Sequence, residues 1–286
     1  MKYPRIATEL YSAPWQIFPA KYQEITAVFE AARRGLNSTP ESAADDPAGP
    51  IGYDYIEDRV KLLAPQVQVT GHLAYLQVQG ITGRRLSQMA IQCGGFDTGI
   101  FRQQLANIRD DASIKTLVLD FDSPGGLAAG NAETAAAIRE VAGSGKTIIG
   151  YVSGMCCSAA YFLGCACDEL HADPAATVGS ISTIWAGVDS SKNWEQNGLE
   201  LKLFATGQYK ATGYPGKKWT PEEEANCWSI VQPLDDEFKS FVAASRSLTP
   251  DLMQGQWWTA KYAPVGVVDS TSFRDLKDLM ETAFAL

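Results

Sequence analysis

The sequence predicts an α/β fold, and three observations carry the prediction. Apolar, β-branched runs alternate with segments whose apolar residues recur at helical spacing, strand then helix, along the middle of the chain. The runs end in small-residue, glycine-bearing turns, and strand ends are where α/β proteins place their chemistry. A chain of 286 residues with 45% apolar content can bury one large core or two modest ones.

Taken in order, the chain opens with an arm over residues 1–36. It carries Pro14 and Trp15, then a helical pattern in which Ile25, Val28, Phe29 and Ala32 share a face, ending at Gly35. Residues 37–58 are polar, small and rich in proline, the composition of a flexible linker. The remaining residues, 59–286, form one α/β domain. Within it residues 67–78 alternate as a strand that enters Gly80, and residues 96–109 make a helix. Residues 116–121 read as a buried strand and 128–141 as the helix after it.

Residues 147–152 are again β-rich, and Ser158 opens a helix after a turn of small residues. Residues 147–167 contain no charge, long enough for a membrane span, but three glycines and a β-branched start favour strand, turn and buried helix. Residues 201–204 are expected to form a strand with Lys210 just beyond it. Thr220 caps a long helix with Pro221 at its first position and acids in its first turn; Pro233 is expected to kink it before it ends at Arg246. Trp257 and Trp258, with residues 265–269, make a short closing element before a last helix.

A hydroxyl at Ser158 would stand beside free backbone N–H groups, where developing negative charge is favoured, although most serines in such a place are only helix caps. Upstream, the turn Asp122-Ser-Pro-Gly-Gly126 follows a buried strand, so Gly125 and Gly126 could aim amides into a cavity as an oxyanion hole or serve merely as a turn. Lys210 taken alone is a solvated lysine. Cys156 and Cys157 beside Ser158 read as buried small residues rather than nucleophiles.

Composition narrows the function classes. With 24 basic and 33 acidic residues the formal charge is −9, against a protein that grips nucleic acid through phosphates or an anionic membrane through charge. The six cysteines have neither zinc-finger spacing nor the density of a disulfide scaffold, and suit a reduced cytoplasmic protein. His72 and His171 are too few for most metal sites and read as structural; no metal or other cofactor is expected. The N-terminus shows no apolar segment between a basic start and a cleavage site, so neither a signal peptide nor membrane insertion is expected.

Asp122-Ser-Pro-Gly-Gly126, Ser158-Ala-Ala-Tyr161, Val178-Gly-Ser-Ile181 and Gly207-Gln-Tyr-Lys210 occur in an order and spacing that resembles the signal peptide peptidase A family of Ser–Lys serine peptidases. The likeness spans roughly residues 70–270. It implies the fold shared by the Clp protease subunit and the crotonases, built of repeated β-β-α units. Carried over, it implies Ser158 as nucleophile and Lys210 as general base, with Ser180 orienting the lysine. The oxyanion hole falls to Gly125 or Gly126 with the amide of Ala159.

Two positions depart from the family pattern: Ala159 and Ala160 stand where many members have two glycines, and Ser182 where a glycine is usual. A lysine base must titrate well below the ~10.4 of a free lysine, and Leu201, Leu203 and Phe204 are expected to enclose it. The Pro-Trp arm resembles that of phage relatives, which implies scaffold or capsid proteins as substrates during head maturation. The resemblance also implies a ring-like homo-oligomer, with Trp257, Trp258 and Tyr262 as anchors. The alternatives are a housekeeping peptidase that degrades peptides or signal peptides, a crotonase-type acyl-CoA enzyme using carboxylates, and a silent scaffolding protein.

Overall fold

The computed structural model describes residues 14–285, apart from 20, 24, 28–66, 88, 89, 92 and 93. The expected linker and much of the arm lie outside the described residues, as does Cys93.

Two sheets organise the molecule. The larger has the order β11-β10-β8-β6-β3-β2, with β9 also paired to β8. Its strands are β2 (Gln68–Thr70), β3 (Leu73–Gln79), β6 (Thr116–Ser123), β8 (Thr147–Cys157), β9 (Glu169–Ala172), β10 (Thr177–Gly179) and β11 (Trp257–Thr259). The β3, β6, β8 and β10 ladder is parallel throughout, while β2 and β11 close its ends antiparallel. The smaller sheet runs β1 (Trp15–Ile17), β7 (Gly125–Leu127), β4 (Ile81–Gly83) and β5 (Gly95–Asp97).

The expected β-β-α repeat is visible in this path. β3 passes to β4 and β5 in the second sheet and then to helix α1 (Thr98–Asp110); β6 passes to β7 and then to α2 (Asn131–Gly143). The predicted single strand over 67–78 is instead a hairpin, because Gly71, at φ +59°, turns β2 back onto β3. Asp97 caps α1, its carboxylate accepting from the amides of Gly99 and Ile100.

Parallel strands covered on both faces need apolar side chains on both, hence the near-continuous runs of β6 and β8. On one face Ala74, Leu76, Leu117, Leu119 and Ile148 pack with Phe101, Leu105 and Ile138 of α1 and α2. On the other, Leu73, Tyr75, Val118 and Tyr151 meet Leu279 and Ala283 of the C-terminal helix α6 (Leu276–Phe284).

Between these helices lie α3 (Ala159–Gly164), α4 (Ser191–Gln196) and α5 (Pro221–Arg246). α5 has the full capping box expected of Thr220 and Glu223, and it continues helical through Pro233. The expected strand at 201–204 does not form: that stretch is irregular and, beyond Leu201, exposed. Alternating Leu-Lys-Leu is a strand pattern only where an edge receives it, and no sheet edge does here. The uncharged run 147–167 divides between β8, a turn and α3, and among the described residues no helix is long and apolar enough to cross a membrane.

Candidate active site

The site is built where β8 ends. β8 keeps register with β6 as far as Phe121–Val152 and then shifts to Ser123–Cys156, a bulge that re-aims the end of the strand. There they pair with β10, Cys156 with Val178 and Cys157 with Gly179, and the Ser158 amide donates to the Gly179 carbonyl at 2.8 Å. The chain must then turn at once into α3, and Ser158 takes that turn at φ 55°, ψ −119°. This is a region that L-residues other than glycine adopt only under tertiary constraint.

Ser158 stands at the N-cap position of α3, its carbonyl accepting from the Phe162 amide at 2.9 Å. Its side chain makes no capping bond; its hydroxyl instead donates to the Ser182 carbonyl at 3.5 Å, a long and weak contact. The serine is completely buried.

Gly125 faces it from β7. A Cβ there would stand 2.8 Å from the Ala159 amide nitrogen, 2.8 Å from the Cys157 carbonyl and 2.3 Å from the Gln16 carbonyl, and φ is +91°. Only glycine fits, and the fit brings the β7 backbone against the first amide of α3. Ser123 supports this turn: its hydroxyl donates to the Gly80 carbonyl at 2.6 Å and accepts from the Gly125 amide at 3.2 Å. Gly125 therefore packs against the Cys157–Ala159 backbone, with Gly126 the next residue of β7. Ser180 is close in the chain path, directly after Gly179, and is itself buried at φ 56° with its amide donating to the Gln256 carbonyl at 2.7 Å.

Lys210 is placed differently. It lies in an exposed turn, its amide donating to the Gly207 carbonyl at 3.1 Å, and among the described residues it makes no hydrogen bond to Ser158 or Ser180. The enclosure expected from its apolar neighbours does not form within one chain, since Leu203 is exposed and Phe204 is 94% exposed.

The neighbouring cysteines are inert by environment. Burial pushes the thiols of Cys156 and Cys157 well up, and Cys165 and Cys167 to about 12, so none carries thiolate at neutral pH. His171 lies on β9 with Nε2 2.7 Å from the Glu169 carboxylate and its ring edge-on to Phe273. His72 stacks on Phe284. Among the described residues no His/Cys/Asp/Glu group is arranged to hold a metal.

One residue that sequence reasoning missed is Asp235 of α5. Its carboxylate accepts from the Thr183 amide at 2.8 Å and the Ser182 hydroxyl at 3.1 Å, and it pairs with Lys239 at 2.6 Å. It pins the segment whose carbonyl holds the Ser158 hydroxyl. The signal was an acid on the apolar stripe Val231, Asp235, Phe238, Val242, all buried.

Residues 140–283 match the model of Peptidase family S49, about half of the chain, and the protein belongs to that family. It is 27% identical over 202 residues to a putative protease of Methanocaldococcus jannaschii, covering 65% of each chain. It is 26% identical over 223 residues to the capsid assembly protease C of Escherichia phage lambda, covering 74% of this chain and 49% of that one. A third relative is the head-tail preconnector protein GP5 of Enterobacteria phage P21, 27% identical over 192 residues, 66% of this chain and 37% of that one. The chain thus spans between about a third and two thirds of the length of these relatives. Similar solved structures include a ClpP1 variant from Listeria monocytogenes, at 12% identity and TM-score 0.43 over 68% of this chain and 89% of that one. Another is an enoyl-CoA hydratase/isomerase family member, at 14% identity and TM-score 0.44 over 78% of this chain and 73% of that one.

Proposed function

We propose that the protein is a serine endopeptidase acting through an acyl-enzyme on Ser158. The observation that carries this is the conformation of Ser158, a non-glycine residue held at φ 55°, ψ −119° without the cap bond that would give it a structural purpose. In that position its hydroxyl attacks a peptide carbonyl whose oxygen is received by the amides of Ala159 and of Gly125 or Gly126. The amide hydrogen bonds strengthen as the carbonyl becomes tetrahedral, which lowers the barrier rather than merely binding substrate.

Lys210 is the base in this reading, with Ser180 its hydrogen-bond partner. Both assignments rest on the motif positions. Lys210 is exposed in one chain, and in this reading it acts when a further surface covers the 200–214 segment, either a second copy of this chain or the bound substrate, because burial disfavours the charged form of a lysine. The proposed substrates are proteins, and kinship with a capsid assembly protease and a head-tail preconnector protein favours scaffold or capsid subunits of a phage head.

The test is cleavage of a fluorogenic peptide together with labelling by a fluorophosphonate. Ser158→Ala should abolish both, with a rate loss on the order of 10⁶, while circular dichroism stays unchanged. Lys210→Arg should be nearly dead because a guanidinium does not deprotonate. Turnover that survives Ser158→Ala, or that is lost in His171→Ala but kept in Lys210→Arg, would overturn the dyad.

A further inference from the structure

Strand β1 pairs with β7, the strand that carries Gly125 and Gly126. It is the middle of three extended segments. On one side it pairs antiparallel with β7 in the register Trp15–Leu127, Gln16–Gly126, Ile17–Gly125. On the other, Trp15 and Ile184 exchange both backbone hydrogen bonds at 2.8 Å each.

The register brings a specific carbonyl to the oxyanion amides. The Phe18 amide donates to the Pro124 carbonyl at 2.7 Å and the Ala128 amide to the Pro14 carbonyl at 3.3 Å. Hydrogen-bonded pairs alternate along an antiparallel ladder, so Gln16–Gly126 is the bonded pair between them and the Gln16 carbonyl faces the Gly126 amide. The same carbonyl oxygen and the Ala159 amide nitrogen converge on one point above Gly125, 2.3 and 2.8 Å from it.

The side chains are seated as a bound ligand's would be. Asn131 Nδ2 donates to Gln16 Oε1 at 2.7 Å, Gln16 Nε2 donates to Thr183 Oγ1 at 3.2 Å, and Phe18 sits edge-on to Trp257 at 4.9 Å. Beneath this strand Ser158 has no solvent exposure at all.

We propose that β1 is an autoinhibitory strand: Trp15–Ile17 occupies, in cis, the groove for an extended substrate, with the Gln16 carbonyl in the oxyanion position. A substrate then enters by strand exchange, taking over the backbone bonds to β7 and Ile184, and Asn131 and Thr183 are the first polar groups its side chains meet. The proposal rests on the assignment of Ser158 and the β7 amides given above.

A reversible lock tests it. Trp15 and Leu127 are direct partners in a non-bonded pair, the cross-strand spacing that suits a disulfide. In the full-length Trp15→Cys/Leu127→Cys double variant, the oxidised form should react with a fluorophosphonate at least tenfold more slowly than the reduced form. In the same variant carrying Ser158→Ala, oxidation should weaken binding of the fluorescent pentapeptide Pro-Trp-Gln-Ile-Phe by at least tenfold. Equal peptide affinity in the two redox forms overturns the proposal. If peptide binding follows the lock but neither form is labelled, β1 is the occupant and the nucleophile assignment fails; if both forms label equally fast, the nucleophile stands and the autoinhibitory strand falls. Should the double variant not fold, Trp15→Ala serves instead: labelling several-fold faster than the parent is expected, and an unchanged or slower rate overturns the proposal.

Discussion

A serine at φ 55°, ψ −119° costs the fold about 1–3 kcal/mol, the usual range for a residue held in a sparsely populated backbone region. The strain belongs to the Cβ and not to the hydroxyl, and this separates two substitutions that both remove the hydroxyl. Ser158→Ala keeps the Cβ and with it the strain. Ser158→Gly removes both, and although glycine loses more chain entropy on folding, its freedom at positive φ outweighs that loss here. We expect Ser158→Gly to be more stable than Ser158→Ala by about 1 kcal/mol in urea unfolding. The reverse order would mean that the turn relaxes once the hydroxyl is gone.

At the scale of elements, the long helix α5 acts on the site through Asp235, which fixes Ser182 and Thr183. Asp235→Ala frees the Thr183 amide and the Ser182 hydroxyl, in the segment whose carbonyl meets the Ser158 hydroxyl, and removes the ion pair with Lys239. The loss of hydrogen bonds to a charged acceptor should cost about 1.5–3 kcal/mol of stability. Fluorophosphonate labelling should fall by more than that loss of folded protein explains; labelling in proportion to folded protein would make Asp235 structural only. The helix itself was legible, because Thr220, Pro221 and three acids form a local start signal that needs no partner. The strand start at Thr147 and the helix opening at Ser158 were legible for the same reason, but the turn expected between Val152 and Ser158 is the continuation of β8 to Cys157. The pairing of β1 was not legible: three residues carry no periodicity, and their partners Gly125–Leu127 are more than a hundred positions away. The 201–204 segment failed in the opposite sense, with strand-like alternation but no edge to receive it. The hairpin at Gly71 was missed because alternation continues in phase across a tight turn.

At the scale of the whole molecule, the C-terminal region is tied to the sheet by Asp269. Its carboxylate accepts from the Leu170 amide at 2.6 Å and pairs with Arg246, at the end of α5, at 2.6 Å. Burial pushes this carboxyl up, but the Leu170 amide and the Arg246 guanidinium outweigh it and hold the group below its ordinary value. A carboxylate depressed in the folded state adds stability above its unfolded pKa, near ~3.9, and that stability is lost as pH falls through the folded value. The melting temperature should therefore drop below about pH 4, and Asp269→Asn should flatten that acid limb while lowering stability at neutral pH. An unchanged acid limb in the variant would assign it to other carboxylates.

The same scale decides whether one chain suffices for catalysis. Phe204, Tyr209 and Tyr214 are exposed along the segment that carries Lys210. Single apolar residues on a surface mean little, but several on one segment suit a surface that a partner covers. Trp257 and Tyr262 are likewise exposed, whereas Trp258 packs onto the core and is no free anchor. Homo-oligomerisation would bury the segment and desolvate Lys210 in one step. Light scattering at micromolar concentration should give a mass several times 31.0 kDa. Phe204→Asp should shift it toward the monomer, because a carboxylate cannot be desolvated unpaired without a cost of several kcal/mol. Peptide cleavage should fall in step with the loss of the assembled species, and raising protein concentration should restore part of it. A parent chain that scatters as a monomer, or a Phe204→Asp monomer with full activity, would leave Lys210 to be covered by the substrate alone.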